Sequence, residues 1–204
     1  QDLPHLVRIY NQSVEAGEVV YKPLTQAAFQ ALYIDSTPSP SELLLAALKD
    51  DVPVGFILGT LPQAFLPGQT PQNTPGFLTA LYVDKAHRQQ GVAAALLAAL
   101  SQALAALHKT RIQISGDNPI KQAWLVPGTS THDHNNAPGA DTLCPGYHFL
   151  LSQGFTDLHH EVAMYLPLQN YQPLPDMAER QQRLLDMGIT TGRYDPKLNY
   201  EFDT

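Results

Sequence analysis

The sequence is poor in charge, in cysteine and in long apolar runs, and each shortage excludes a class of protein. Only 15% of the 204 residues are charged, and 19 acidic residues against 12 basic ones give a net charge of −7. Nucleic acid is excluded as a general partner, because phosphate binding needs a basic face. No apolar run spans a membrane and no signal-peptide pattern opens the chain, so no membrane partner is expected. The single cysteine, Cys144, cannot form an internal disulfide, which makes a reducing cytoplasm the simplest location.

What is present suits one globular domain. Apolar residues make up 44% of the chain, and its length allows one substantial domain. Asp2 is a candidate N-cap for a first helix, and Thr25 is placed to cap a second helix that runs to residue 34. The turn sequence KDDVP predicts a hairpin of residues 43–48 with 54–61. Four prolines between residues 62 and 76 predict a loop.

The central part of the chain predicts a strand, a helix and a second strand. Residues 77–83 read as a buried strand, and a helix follows from residue 87 to about 107. Its apolar stripe consists of Leu96, Leu97, Leu100, Leu104 and Leu107, which predicts packing on a sheet. A strand at 110–115, an irregular segment at 118–145, a helix at 146–155 and a strand at 159–168 complete a mixed α/β domain. The predicted domain spans 1–166, and 167–204 predicts a linker, a polar helix and a further strand.

The stretch HRQQGVAAALLAAL places Gly91 in the expected first turn of the central helix, although glycine costs about 1 kcal/mol there relative to alanine. A helix N-terminus carries unpaired amides and about half a positive charge. Glycine would let an anion approach the backbone, and Arg88 would add a charged fork beside it. The alternative is an alanine-rich packing helix with a permissive glycine.

The wider stretch LYVDKAHRQQGVAAALL resembles the central motif of the GNAT superfamily of acyl-CoA-dependent N-acyltransferases. Arg88, Gly91 and Ala93 fill the positions of the family's Arg/Gln-x-x-Gly-x-Gly/Ala motif, and FLLSQGF resembles its later helix. The resemblance covers residues 1–166 in the right order. It implies a mixed, mostly antiparallel central sheet, flanked by helices and with two strands splayed at the cofactor site.

The cofactor implied by this resemblance is acetyl-CoA. The backbone amides of Gln89, Gln90, Gly91, Val92 and Ala93 would bind its pyrophosphate, with Arg88 beside them. The backbone of Leu81, Tyr82 and Val83 would pair with its pantetheine arm. Asn118 falls where family members often place a polar cofactor contact, and a turn residue before Pro119 is the alternative.

The catalytic groups match the family less well. Many relatives carry a strand carboxylate as base, where this sequence has Thr79 and Ala80, and a helix tyrosine as acid, where it has Leu150. Tyr147 lies about one turn earlier on the same face and is the candidate acid, unless its ring only packs on the core.

The loop THDHNN could line the acceptor site, with His132 or His134 as base. A zinc site is not predicted, because no second cluster has the ligand spacing.

These features predict transfer of an acetyl group from acetyl-CoA to a primary amine of a small molecule or peptide. The rival interpretation is a non-catalytic acyl-CoA-binding module. A nucleotide-binding domain is disfavoured, since Gly-x-Gly-x-x-Gly and P-loop sequences are missing.

The tail RLLDMGITTGRYD resembles the start of a second domain in tandem family members, and the strand expected before Asp2 is missing. We therefore expect half of a tandem protein, or a homodimer. Residues 189–194 are expected to fill the vacant sheet edge, in their own molecule or in a neighbouring one.

Overall fold

The structure is a computed structural model that describes residues 2–35, 43–120, 122, 124–125, 133–134, 141–158, 160, 166, 168–190 and 192. The chain divides into two units, residues 1–161 and 162–204. The predicted domain boundary between residues 166 and 167 stays a prediction, because most residues around it lie outside the described part. No helix among the described residues is both long and apolar enough to span a membrane.

The first unit begins with the two predicted helices, and the second is shorter than predicted. Helix α1 is Leu3–Glu15, and Asp2 occupies its N-cap position without a side-chain cap hydrogen bond. Helix α2 is only Gln26–Phe29, capped by Thr25, and the chain continues as a π-helix over Gln30–Asp35. A switch from four-residue to five-residue hydrogen bonding is not encoded in apolar spacing, so the sequence predicted one longer helix.

The predicted hairpin and central strand form most of a four-stranded sheet. Its strands are β1 (Leu44–Lys49), β2 (Val52–Thr60), β3 (Gly76–Val83) and β4 (Ile112–Gln113), in spatial order β1-β2-β3-β4. The first two pairings are antiparallel and the third is parallel. Asp50 and Asp51 join β1 to β2, both at positive φ, which is the geometry of the two-residue turns that match strand twist. The predicted mixed, mostly antiparallel sheet is therefore confirmed.

Helix α3 (Val92–Ala106) packs on one face of this sheet through an aliphatic core. Its buried residues are Leu96, Leu97, Leu100 and Leu104. Leu107, predicted to extend the stripe, ends the helix as its C-cap and is 38% exposed. The approach is close at Gly59, where an added Cβ would lie 2.5 Å from Leu100 Cδ1. Glycine on β2 therefore allows the helix to reach the sheet.

The opposite face carries an aromatic core with buried polar groups. Its aromatic members are Tyr10, Phe29, Tyr33, Phe56 and Tyr82. The Tyr33 hydroxyl donates to Gln122 Oε1, Gln122 Nε2 donates to the Tyr10 hydroxyl, and that hydroxyl donates to the Lys22 carbonyl at 2.8 Å. Because these hydrogen bonds satisfy the buried side chains of Tyr10, Tyr33 and Gln122, this face can hold their polar groups within an aromatic core.

Two further predicted helices are confirmed, and a segment that was predicted as irregular contains two short strands. Helix α4 is Pro145–Ser152 and helix α5, in the second unit, is Met177–Asp186. Within the segment predicted as irregular, β5 (Trp124–Leu125) and β6 (Asp133–His134) pair antiparallel. Two-residue strands are too short to give a periodic signal. Most of the predicted strand at 159–168 lies outside the described residues, and so does half of 189–194.

Candidate active site

A gap beside the C-terminal half of β3 is the first element of the candidate site. Strand β4 pairs with β3 only at Gly76 and Phe77, through Ile112 and Gln113. Within the described ranges, no strand pairs with β3 on this side from Leu78 onward. The two strands therefore diverge, and backbone groups of β3 are left facing the gap.

The register of β3 decides which of its residues face that gap. The Asp84 N–H donates to the Val54 carbonyl at 2.9 Å, which extends the β2–β3 ladder. Bonded residues alternate in an antiparallel ladder, so Tyr82 directs its backbone groups toward β2. Those of Leu81 and Val83 point away from β2. Of the three residues predicted to pair with pantetheine, Tyr82 is therefore not placed to do so, and the sequence alone could not supply this register.

A turn of uncommon backbone geometry joins β3 to α3. The Asp84 carboxylate accepts the Ala86 N–H at 2.9 Å and so caps a 3₁₀ helix, Lys85–His87. Gln89 and Gly91 then have φ of 57° and 83°. Positive φ is uncommon for a residue other than glycine, so two of three consecutive residues hold the chain in a left-handed bend.

Gly91 lies before α3 and not in its first turn, which corrects the prediction of a helix from residue 87. It is the N-cap in a left-handed conformation, and its side-chain position is open, since an added Cβ would meet nothing within 4 Å. The conformation explains why glycine is present here. The Ala95 N–H donates to the Gly91 carbonyl at 2.9 Å, whereas the amides of Val92 and Ala93 precede the first intrahelical bond. No side chain caps this helix end.

Arg88 faces α1, in contrast to the predicted position beside a bound anion. Its Nη1 and Nη2 donate to Glu18 Oε1 and Oε2 at 2.6 and 2.8 Å. Nη2 also donates to Ser13 Oγ at 3.2 Å, and Nε donates to the Val83 carbonyl at 3.0 Å. The hydrogen bond from Arg88 lowers the pKa of the Glu18 carboxyl below its usual value. The guanidinium thus joins the turn to α1 and to β3.

Asn118 is buried in a polar cluster between β2 and β3. Its Nδ2 donates to Thr79 Oγ1 at 2.9 Å, and its Oδ1 accepts from Thr60 Oγ1 at 3.2 Å and from the Ile120 N–H at 3.0 Å. Thr79 is one of the two strand residues, with Ala80, at the position where the resemblance led us to expect an acid. These contacts hold the loop after β4 to the sheet, and the predicted cofactor contact of Asn118 stays a prediction.

Tyr147, the candidate acid, lies in the first turn of α4, and its hydroxyl donates to Asp157 Oδ2 at 2.8 Å. This hydrogen bond raises the pKa of the phenol. Leu150 is buried in the aliphatic core with α3. Of the two residues on the predicted helix face, Tyr147 therefore makes a polar contact and Leu150 packs in the core. His160 Nε2 lies 3.8 Å from the same Asp157 carboxylate oxygen.

The predicted histidine site is only partly described. His132 lies outside the described residues, and the backbone of His134 forms β6, opposite Trp124. In the described part of the chain, no three or more histidine, cysteine, aspartate or glutamate side chains are grouped so that they could hold a metal ion.

A polar cleft of about 340 Å³ lies on the α1 side of the same turn. Its charged lining residues are Arg8, Lys49, Asp50 and Asp84. Because Asp84 pairs with Arg8 at 2.5 Å, the cleft mixes both signs of charge and is a poorer anion site than the uncapped end of α3.

Glu18 and Asp157, which contact the predicted site residues Arg88 and Tyr147, were not predicted from the sequence. Glu18 is 70 positions from Arg88, and no local pattern reports a contact across such a separation. Asp157 lies beyond Ser152, the last residue of α4, so the helical spacing that identified Tyr147 does not extend to its partner.

Solved structures with a similar fold include a transcriptional regulator and an aminoglycoside acetyltransferase. A transcriptional regulator from Bacillus halodurans C-125 gives a TM-score of 0.52 at 18% identity, over 81% of this chain and 93% of that one. An aminoglycoside acetyltransferase from an uncultured soil metagenomic sample, in complex with sisomicin, gives 0.51 at 16%, over 82% and 91%. Ard1 from Thermoplasma volcanium gives 0.40 at 21% identity, over 53% of this chain and 60% of that chain. The first two likenesses show the fold.

No curated protein matches the chain. The profile of the acetyltransferase (GNAT) family matches residues 6–124, which is more than half of the sequence and includes β3, the turn and α3. This match confirms the resemblance, and with it acetyl-CoA as the cofactor. The chain belongs to the acetyltransferase (GNAT) family.

Proposed function

We propose that this chain is an N-acetyltransferase that transfers the acetyl group of acetyl-CoA directly to a primary amine of a small molecule or peptide. The observation that carries the proposal is the β3–β4 gap, which ends at the uncapped N-terminus of α3. Family membership supplies the class of reaction.

The donor groups at the gap suit the chemistry of acetyl-CoA. The amides of Val92 and Ala93, with about half a positive charge at the helix end, suit a pyrophosphate. The backbone of Leu81 and the Val83 N–H suit the amide-bearing arm, which can add to an open strand edge. When bound, acetyl-CoA supplies an activated acyl thioester. Gln90 folds back to donate to the Ala86 carbonyl at 3.0 Å, so only its backbone is left for this role.

The amine must lose a proton before it can attack. An alkyl amine with a pKa of about 10.4 is almost fully protonated at pH 7, and its neutral form costs about 4.6 kcal/mol. Thr79 cannot act as the base in place of the family carboxylate, because a hydroxyl at neutral pH is not basic enough. We therefore assign the base to His132 or His134, or to a water molecule from the solvent that accepts the proton.

Tyr147 is the proposed acid that protonates the departing thiolate. In the free protein its proton is directed to Asp157, and the hydroxyl must turn from that carboxylate in order to donate elsewhere. Since the Asp157 contact raises the pKa of the phenol, breaking the contact also makes Tyr147 a better acid.

A second candidate function is a non-catalytic acyl-CoA-binding module. It is favoured by the Tyr147–Asp157 hydrogen bond together with Leu150 buried in the core, where many relatives have the acid. This module would bind acetyl-CoA at the gap and release no thiol.

The acceptor class we propose is a cationic amine, which the net charge of −7 attracts. Because an acetyltransferase with a similar fold was solved with sisomicin, aminoglycosides belong in the test beside polyamines and peptide amines.

The test has two stages on the whole chain. Acetyl-CoA at a hundredfold excess over its Kd should stabilise the protein by about 2.7 kcal/mol. This gain corresponds to a rise in Tm of roughly 5–11 °C, and NAD and ATP should do much less. Thiol release from acetyl-CoA is then followed across the amine panel. Thiol release in the presence of an amine supports the N-acetyltransferase. Binding of acetyl-CoA without thiol release supports the non-catalytic module, and an unchanged Tm with acetyl-CoA contradicts both functions.

A further inference from the structure

One side of α1 is fastened to the turn between β3 and α3. Arg8 Nη1 pairs with Asp84 Oδ2 at 2.5 Å, at the start of the turn. Four residues further along α1, Gln12 Oε1 accepts the Lys85 N–H at 3.4 Å. The third attachment is at Arg88, whose guanidinium makes hydrogen bonds to α1, to the loop after α1 and to β3.

The Arg88 attachment is partly shielded from water. The side chains of Arg88 and Glu18 are 31% and 23% exposed, and Ser13, which accepts a third hydrogen bond, is 4% exposed. Two parallel charge-assisted bonds between a guanidinium and a carboxylate fix orientation as well as distance. Arg88 precedes Gly91 by three residues, so these bonds hold the turn close to the N-terminal amides of α3.

Glu18 is itself held by its own loop. Its N–H donates to the Ser13 carbonyl at 3.0 Å. Asn11 then pairs with Leu24 through both its side-chain oxygen and its side-chain nitrogen, each at 2.9 Å. The Tyr10 hydroxyl donates to the Lys22 carbonyl at 2.8 Å. The carboxylate that receives Arg88 therefore stands on a loop fixed to α1 at several points.

We propose that Glu18 is a positioning residue of the cofactor site, which acts on bound acetyl-CoA only through Arg88. The inference rests on the proposed binding of phosphates by the α3 amides. Without Glu18 the turn must be ordered when the cofactor binds, and that ordering lowers the affinity. Arg88 in this arrangement anchors the turn and is not a direct phosphate ligand.

The test is a double-mutant cycle on the whole chain with Glu18→Gln, Arg88→Gln and the double variant, and CoA as the probe. Each single variant should weaken the Kd for CoA about tenfold, equivalent to ~1.4 kcal/mol. The double variant should be no weaker than either single one, because both changes break the same contact. In any acetyl transfer that the wild type performs, KM for acetyl-CoA should rise while kcat stays within about twofold.

Glu15→Gln is the matched control, since Glu15 is an exposed glutamate at the end of the same helix. Its Kd for CoA should equal that of the wild type. Arg88→Lys gives an independent check, because lysine keeps the positive charge but cannot reproduce the fork. A positioning role predicts a loss with Arg88→Lys close to that with Arg88→Gln.

Three results would overturn the proposal. The first is a loss of CoA affinity in the double variant that equals the product of the two single losses. The second is wild-type affinity in Glu18→Gln. The third is wild-type affinity in Arg88→Lys, which would mean that Arg88 is a direct ligand of the phosphates. A wild-type protein that fails to bind CoA would instead contradict the proposed function. Circular dichroism without ligand shows whether each variant is folded, and the lysine variant replaces Glu18→Gln should the latter unfold.

Discussion

The N-terminal ends of α3 and α4 are built in opposite ways. Before α3, Gly91 takes a left-handed conformation and the first turn offers only backbone amides. Before α4, Cys144 is extended, Pro145 occupies the first turn, and the phenol of Tyr147 makes a hydrogen bond to Asp157. The end of α3 therefore presents amide donors from the main chain, and the end of α4 presents a titratable side chain. Removal of a side chain at the α4 end should therefore reduce turnover strongly. A side-chain change at the α3 end should have a smaller effect on cofactor affinity, because the donors there are backbone amides.

The largest effect is expected at α4. Tyr147→Phe removes only the hydroxyl, and turnover should fall about 10²-fold or more if this group is the acid. The Kd for acetyl-CoA should barely change, because the ring stays in place. Tyr171→Phe, at an exposed tyrosine of the second unit, is the control and should keep full turnover. Steady-state thiol release and a separate binding measurement check both quantities.

Undiminished turnover in Tyr147→Phe would remove this residue from the mechanism. The proton would then have to come from His132, His134 or water, and the α4 end would be a packing feature.

The two helix ends also differ in how far sequence could predict them. Gly91 within an alanine-rich run is a local signal, and it gave the position of the α3 terminus, although the helix begins at Val92 instead of residue 87. A run of helix formers does not reveal that Gln89 and Gly91 are left-handed. The hairpin β1–β2 was predicted well because the Asp50–Asp51 turn is also a local signal.

Contacts between distant residues could not be predicted. Arg88 matched the family motif, yet its partner Glu18 lies in a different loop, so the sequence indicated an anion contact where the structure has an ion pair. Tyr147 was identified from helical spacing, but Asp157 was not, since it lies beyond the end of α4. The backbone direction of Tyr82 depends on the register with β2, which one strand alone cannot supply.

A middle-sized effect is expected at α3. Gly91→Val places a branched side chain where the phosphates are proposed to approach, and it should weaken CoA binding at least tenfold, about 1.4 kcal/mol. Valine at positive φ also costs about 1–2 kcal/mol of stability. Gly68→Val is the matched control, because Gly68 has φ of 87° and open space around its Cβ position, as Gly91 does. Calorimetric titration with CoA and a denaturant curve separate the two costs.

Both valine variants should lose similar stability, and only Gly91→Val should lose affinity. Equal affinity for CoA in the two folded variants would mean that Gly91 is needed only for the left-handed backbone conformation. The phosphates of CoA would then have to bind elsewhere.

The smallest effect concerns how pH acts on the attachment of the α3 turn. Arg88 lowers the pKa of Glu18, so the folded value lies below the unfolded one. The stability gained from this ion pair is then complete above the unfolded pKa, about 4.3 for glutamate, and is lost as the pH falls through the folded pKa. At Tyr147 the sign is reversed, since Asp157 raises the pKa of the phenol, and that contribution to stability is lost only as the pH rises past about 10.

Wild type and Glu18→Gln should differ in unfolding free energy by about 1 kcal/mol or less at pH 7, as expected for a partly exposed ion pair. The difference should shrink as urea unfolding is repeated at pH 5, 4 and 3, whereas Glu15→Gln should show no such trend. A difference that stayed constant down to pH 3 would mean that Glu18 stabilises the turn through packing and not through its charge.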